Sequence, residues 1–185
     1  MDILAGIFVG GASSRMGGRP KGLLTTADGT PLVDRLRAMF DALAIDHVLV
    51  GRRAEYASIP LVALQDAPSG IGPIGGLAAL LDHAGERRAL AVACDMPFVT
   101  QSDVERLLAE EGAIAAAPRR GDRWEPLFAV YDAPRARPFV TRAITDGRYG
   151  LQALLSAMGA RVVPIDPAHL DDWDSPQDLA RKSES

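Results

Sequence analysis

Short aliphatic runs alternate along this chain with stretches of helical periodicity, and that alternation constrains the fold more than any other feature. Residues 3–9, 47–50, 61–64, 89–93, 112–117, 127–131 and 161–165 read as strands. Between them, residues 32–43 place Leu32, Leu36, Met39, Phe40 and Leu43 at helical spacing. Further helices are expected over 74–81, over 103–108 with Ser102 as N-cap, over 151–158, and over 176–181 with Ser175 as cap and Pro176 at the first position. A helix over 133–144 is expected to be interrupted at Pro138. Strands alternating with helices imply an α/β fold, a three-layer Rossmann-like arrangement with a mostly parallel central sheet. Ligands of such sheets bind at the carboxyl ends of the strands. No repeat or linker divides residues 1–185, so one domain is expected.

Composition excludes several functions. A net charge of −4 without a run of Lys and Arg gives no footprint for nucleic acid. Aromatics at 5% give no base-stacking platform. No apolar run approaches the ~20 residues of a membrane span, and residues 1–9 read as a buried strand rather than a signal peptide. The single cysteine, Cys94, forms no internal disulfide and is expected to pack as a small hydrophobe. This fits a reducing compartment, and a cytoplasmic location is expected.

The first strand runs straight into Gly10-Gly11-Ala12-Ser13-Ser14-Arg15-Met16-Gly17-Gly18-Arg19-Pro20-Lys21. Small residues let backbone approach a ligand, and consecutive N–H groups form an anion nest. Arg15 and Lys21 add cations able to reach phosphate oxygens. The pattern is neither the P-loop nor the dinucleotide fingerprint. Asp95 follows the apolar strand 89–93 and suits Mg²⁺ shared with phosphate oxygens, or a turn. Asp66 opens a Pro/Gly-rich loop and suits an Asx turn. Arg119, Arg120 and Arg123 read as a basic patch for a phosphorylated acceptor or as a solvated hairpin. His47, His83 and His169 lack metal-like spacing.

Gly-Gly-x-Ser-Ser-Arg-Met-Gly-Gly-x-x-Lys-Gly-Leu-Leu resembles the signature of GT-A-like nucleotidyltransferases, and more narrowly the molybdenum cofactor guanylyltransferases, the MobA family. Gly72-Pro73-Ile74-Gly75-Gly76, Cys94-Asp95-Met96-Pro97-Phe98, Glu125-Pro126-Leu127-Phe128-Ala129-Val130-Tyr131 and Leu151-Gln152-Ala153-Leu154-Leu155 resemble later segments of that family. The resemblance implies transfer of GMP from GTP to a molybdopterin-type cofactor, with Mg²⁺ as cofactor and pyrophosphate as co-product. It implies nucleotide contacts at Phe8, Val9, Gly10, Gly11, Lys21, Asp66 and Asp95, catalytic roles for Arg15, Lys21 and Asp95, and Mg²⁺ on Asp95. Asp66 would lie on the base or ribose side. Transient contact with molybdenum-cofactor enzymes or their chaperones would follow.

Three positions depart from the family pattern. Pro20 stands where Asp is usual, Gly51 where a nucleotide-contacting Asn is often found, and Asp172-Trp173-Asp174 where Asn-x-Asn is usual. Pro20 and Asp174 are closer to cytidylyltransferases, which act on the pterin or on another phosphorylated metabolite. A nucleotide-binding regulator would need neither Lys21 nor Asp95.

Overall fold

The computed structural model describes residues 2–10, 20–26, 28–51 and 54–173. Strand β1 (Ile3–Phe8) is buried along its whole length. It sits in a sheet with β2 (Asp46–Val50), β3 (Ala63–Leu64), β4 (Arg88–Ala93), β5 (Ala115–Ala117), β8 (Phe128–Asp132) and β9 (Arg161–Val162), in the order β3-β2-β1-β4-β8-β5-β9. Pairs β1–β2, β1–β4, β2–β3 and β5–β9 are parallel. Only β8 runs the other way, between β4 and β5. A separate hairpin joins β6 (Arg119–Arg120) to β7 (Arg123–Trp124).

Helices cover both faces, as expected for a sheet whose central strands are apolar on both sides. On one face α1 (Leu32–Ala42) buries Val33, Leu36 and Phe40, and α3 (Gln101–Leu108) buries Val104 and Leu107. On the other, α2 (Pro73–Ala84) buries Ile74, Leu77, Leu80 and Leu81, joined by α4 (Ala133–Thr145) and α5 (Leu151–Ala157). The result is the three-layer, mostly parallel α/β fold expected from the alternation.

Local chemistry shifts several boundaries. Helix α3 is capped by Thr100 rather than Ser102. Thr100 and Asp103 exchange side-chain-to-backbone bonds as a capping box, which places Ser102 inside the first turn. Pro138 does not interrupt α4; its ring lies on the exposed face, while buried Ala133, Ala136 and Val140 carry the helix past the missing N–H. Strand β9 stops at Val162, two residues before Pro164, which has no N–H for a ladder. Strand β5 begins only at Ala115, after Gly112 has turned the chain at φ +74°. The helix expected over 176–181 lies outside the described residues, as do Gly11, Arg15 and Asp174.

Candidate active site

Strands β1 and β4 end side by side, and a cleft of about 290 Å³ opens at their carboxyl ends. Its floor is Phe8, Val9, Gly10, Ala93, Cys94 and Asp95. Main-chain bonds continue the ladder past the last strand residues: Cys94 donates to Phe8 at 3.1 Å, Val9 to Val50 at 2.9 Å, and Gly51 to Leu64 at 2.9 Å. The floor is therefore held by regular backbone, not by side chains.

Gly51 has φ +95°, and a Cβ there would lie 2.8 Å from the amide nitrogen of Gly10. The chain after β2 thus presses directly on the first glycine of the loop.

Lys21 opens a single 3₁₀ turn, Lys21–Leu23, directly after Pro20. The turn is fastened by the Gly22 amide, which donates to the buried Tyr56 hydroxyl at 3.0 Å. From there the Lys21 ammonium donates to Asp95 Oδ2 at 2.8 Å. Both side chains keep about a fifth of their surface open to the cleft, at 23% and 18%. Asp95 is fixed from behind as well, since its carbonyl accepts the Trp173 amide at 2.9 Å. Trp173 in turn packs with Leu24, Leu32 and Phe98. Residues 74 apart in sequence thus form one ion pair at the sheet edge.

Asp66 does not line this cleft; it lies beside it. Its Oδ1 and the Phe8 ring both come against Gly76 near the start of α2, where an added Cβ would lie 3.3 Å and 3.0 Å from them. Burial holds the Asp66 carboxyl above its ordinary pKa. Gly75 packs so closely on the 66–72 loop that a Cβ would fall 2.3 Å from the Pro68 carbonyl, and the Ala67 amide donates to the Gly75 carbonyl at 3.1 Å. The Gly72–Gly76 stretch singled out by sequence is therefore a tight seam between that loop and α2.

The cleft is also lined by Arg120, Glu125, Pro126, Leu127 and Asp172, with the Leu127 carbonyl accepting the Ala93 amide at 2.7 Å. The three hairpin arginines diverge. Arg119 lies over the Trp124 ring at 4.3 Å, Arg123 is exposed, and only Arg120 enters the cleft. Its Nε donates to Glu125 Oε1 at 3.0 Å, its Nη1 to Asp172 Oδ1 at 3.4 Å, and its Nη2 to the Leu170 carbonyl. Burial pushes the Glu125 carboxyl up, against the opposing pull of Arg120. Glu125 appeared in the sequence only inside a family-like strand segment, and no spacing rule marks it.

Cys94 packs as a small hydrophobe, as expected. Burial, reinforced by neighbouring Asp95, pushes its thiol up to about 12, so the sulfur stays protonated and is no nucleophile. His169, given no role by spacing, places Nδ1 2.8 Å from buried Asp103 Oδ2. Among the described residues no group of three or more His, Cys, Asp or Glu is arranged to hold a metal, and no helix is long and apolar enough to cross a membrane.

The α/β fold with a cleft at the carboxyl ends of its parallel strands, together with the family match, defines a nucleotidyltransferase. A family model described as a MobA-like NTP transferase domain matches residues 5–162, and the chain belongs to that family. It is 33% identical over 178 residues to a molybdenum cofactor guanylyltransferase of Pseudomonas putida (strain GB-1), covering 92% of each chain. It is 34% identical to one of Ectopseudomonas mendocina (strain ymp), covering 96% of this chain and 90% of the relative. Among solved structures, molybdopterin-guanine dinucleotide biosynthesis protein A from Archaeoglobus fulgidus superposes with a TM-score of 0.80 at 25% identity, over 98% of this chain and 97% of that one. A 2-C-methyl-D-erythritol 4-phosphate cytidylyltransferase from Thermus thermophilus shares the fold, with a TM-score of 0.69 at 20% identity over 98% and 96%.

Proposed function

We propose that the protein is a molybdenum cofactor guanylyltransferase, transferring GMP from GTP to a molybdopterin-type acceptor. The observation that carries this reading is the Lys21–Asp95 pair on the backbone floor of the cleft, in a chain about a third identical over nearly its whole length to proteins of that name. An oxygen of the acceptor's phosphate attacks the α-phosphorus of GTP. The bond from that phosphorus to the β-phosphate bridge breaks, and pyrophosphate leaves. The attacking group is already an anion, so positioning and charge stabilisation suffice.

In this reading Phe8, Val9 and Gly10 seat the nucleotide against the sheet edge, and Lys21 Nζ offsets charge developing at the α-phosphate. Asp66 stands on the base or ribose side, next to Phe8 and α2. Gly11 and Arg15 belong to the phosphate loop and lie outside the described residues. The donor chemistry fits Mg²⁺. Asp95 offers a hard oxygen partly open to the cleft, and one or two protein carboxylates are what Mg²⁺ takes when phosphates and waters complete its shell. Asp95 would hold it, and when bound it would neutralise triphosphate charge. Lys21 Nζ would then turn from Asp95 toward the phosphates. The reading places the enzyme in the cytoplasm, with transient contact to molybdenum-cofactor enzymes or their chaperones.

Titration of GTP, CTP, ATP and UTP with Mg²⁺ tests the reading. GTP should bind most tightly, because a site built to pair one base edge leaves polar groups unpaired with another. Equal or tighter CTP binding replaces it with a cytidylyltransferase, the alternative that Pro20 and Asp174 favour.

A further inference from the structure

We propose that Arg120 is the residue that receives the acceptor's phosphate, and that the wall carrying it admits a phosphomonoester while excluding the polyphosphate of the nucleotide. This deepens the guanylyltransferase reading and rests on it. Of the three hairpin arginines only Arg120 lines the cleft that Lys21 and Asp95 also line. Its orientation is fixed from three sides, by Glu125, Asp172 and the Leu170 carbonyl. A guanidinium has five N–H groups. These three bonds use one each on Nε, Nη1 and Nη2, leaving a second N–H on Nη1 and on Nη2 for a ligand. The side chain stays 40% exposed. A preoriented arginine with N–H groups to spare is suited to hold phosphate through two bonds at once.

Charge on this wall sets the class of ligand. Arg120 is one cation facing two carboxylates, Glu125 and Asp172. One cation with two spare N–H donors matches a single phosphate, whereas the further phosphates of a triphosphate would have only Glu125 and Asp172 beside them and no second cation on this side among the described residues. The same cleft holds Lys21, the cation assigned above to the nucleotide's phosphates. The cleft therefore has a polyphosphate end and a monophosphate end, and the attacking oxygen must enter from the Arg120 side.

The test uses the full chain and begins with wild-type turnover of GTP and molybdopterin, followed by pyrophosphate release. Arg120→Ala should raise KM for molybdopterin about 10–100-fold, the loss expected for hydrogen bonds to a charged group. Its Kd for GTP–Mg²⁺, read by calorimetry, should be unchanged. Arg120→Lys keeps the charge but not the planar fork and should recover only part of the loss. Arg123→Ala, on the exposed side of the hairpin, should behave as wild type. An unchanged KM in Arg120→Ala, or an equal loss of GTP affinity, overturns the proposal. If the wild type does not turn over with molybdopterin, the guanylyltransferase reading fails first, and Arg120 is tested separately. Inorganic phosphate is then titrated into protein saturated with a non-hydrolysable GTP analogue and Mg²⁺. Phosphate binding by wild type that is lost in Arg120→Ala upholds the monophosphate site, and no difference between them overturns it.

Discussion

The two walls of the cleft are built by different means. The Lys21–Asp95 wall is built mainly on backbone: ladder bonds continuing through Val9, Gly51 and Cys94 fix the strand ends that carry Asp95, and the turn that carries Lys21 is fastened by its Gly22 amide on the Tyr56 hydroxyl. The Arg120 wall grows from a two-residue hairpin, the loop after it, and the segment 167–173 folded back over it. Its geometry depends on side chains holding one another. A site whose frame is backbone can keep its chemistry while its surroundings change. A site whose frame is a set of side-chain pairs can be retuned by single substitutions. This difference matches the division of labour proposed above, with a common nucleotide on the first wall and a particular acceptor on the second.

The largest effects should come from the strand-end wall. Lys21→Ala and Asp95→Asn should each lower turnover by roughly 10²–10³, the loss seen on removing one preorganised charge-stabilising group. Folding should survive both, since each side chain reaches into the cleft rather than the core. Because the two act as a pair, the double variant should lose much less than the product of the single losses. Pyrophosphate release and thermal midpoint, measured on the same samples, give the answer. Near-normal turnover in a folded single variant breaks the assignment of catalysis to this wall.

The same contrast explains what could be read from sequence. Alternation announced the layers, because a strand buried on both faces must be apolar throughout, and 3–9 is. Asp95 was legible because it follows a periodic strand and inherits its position, and Lys21 because it closes the glycine-rich stretch that begins at Gly10. Arg120 was visible as part of a basic cluster, but its separation from Arg119 and Arg123 was not. The hairpin turn and the stacking on Trp124 decide which arginine points inward, and neither has a periodicity. Glu125 and the His169–Asp103 contact depend on residues 5 and 66 positions away, pairings that only the closed fold creates. Thr100 was missed as a cap because Ser102, two residues on, is an equally good capping type.

Gly51 tests whether the backbone frame is as strict as its contacts indicate. Gly51→Ala places a Cβ against Gly10 at positive φ, a strain of about 1–3 kcal/mol. The thermal midpoint should fall by about 2–12 °C, at about 2–4 °C per kcal/mol for a chain this size. GTP affinity should fall with it, because the displaced residue is the first glycine of the phosphate loop. Retained stability together with retained affinity would show that the loop adjusts freely, and the contrast between a rigid and a tunable wall would weaken.

The smallest effects should come from the tether of the second wall, and they sharpen the comparison most. Asp103 has two partners: it completes the α3 capping box with Thr100, and it accepts His169 from the segment that carries Leu170, Asp172 and Trp173. Thr100→Ala removes the cap and the hydroxyl bond to Asp103 Oδ2 but leaves His169 on that oxygen, and should cost about 1 kcal/mol with no change in either substrate's binding. His169→Ala removes the tether alone. His169 is 35% exposed on its side chain while Asp103 is buried but keeps its bonds from Thr100, so the loss of stability should be about 1–2 kcal/mol. Its effect should instead appear in function, as a rise in KM for the acceptor smaller than that of Arg120→Ala, with GTP affinity unchanged. The reason is geometric. Loosening 167–170 moves the Leu170 carbonyl and Asp172, two of the three groups that aim Arg120, while the Lys21–Asp95 bond stays in place. Steady-state kinetics in both substrates decide the matter. Should GTP affinity fall as far as acceptor affinity, the Trp173–Asp95 bond would be transmitting the change across the cleft, and the two walls would have to be treated as one.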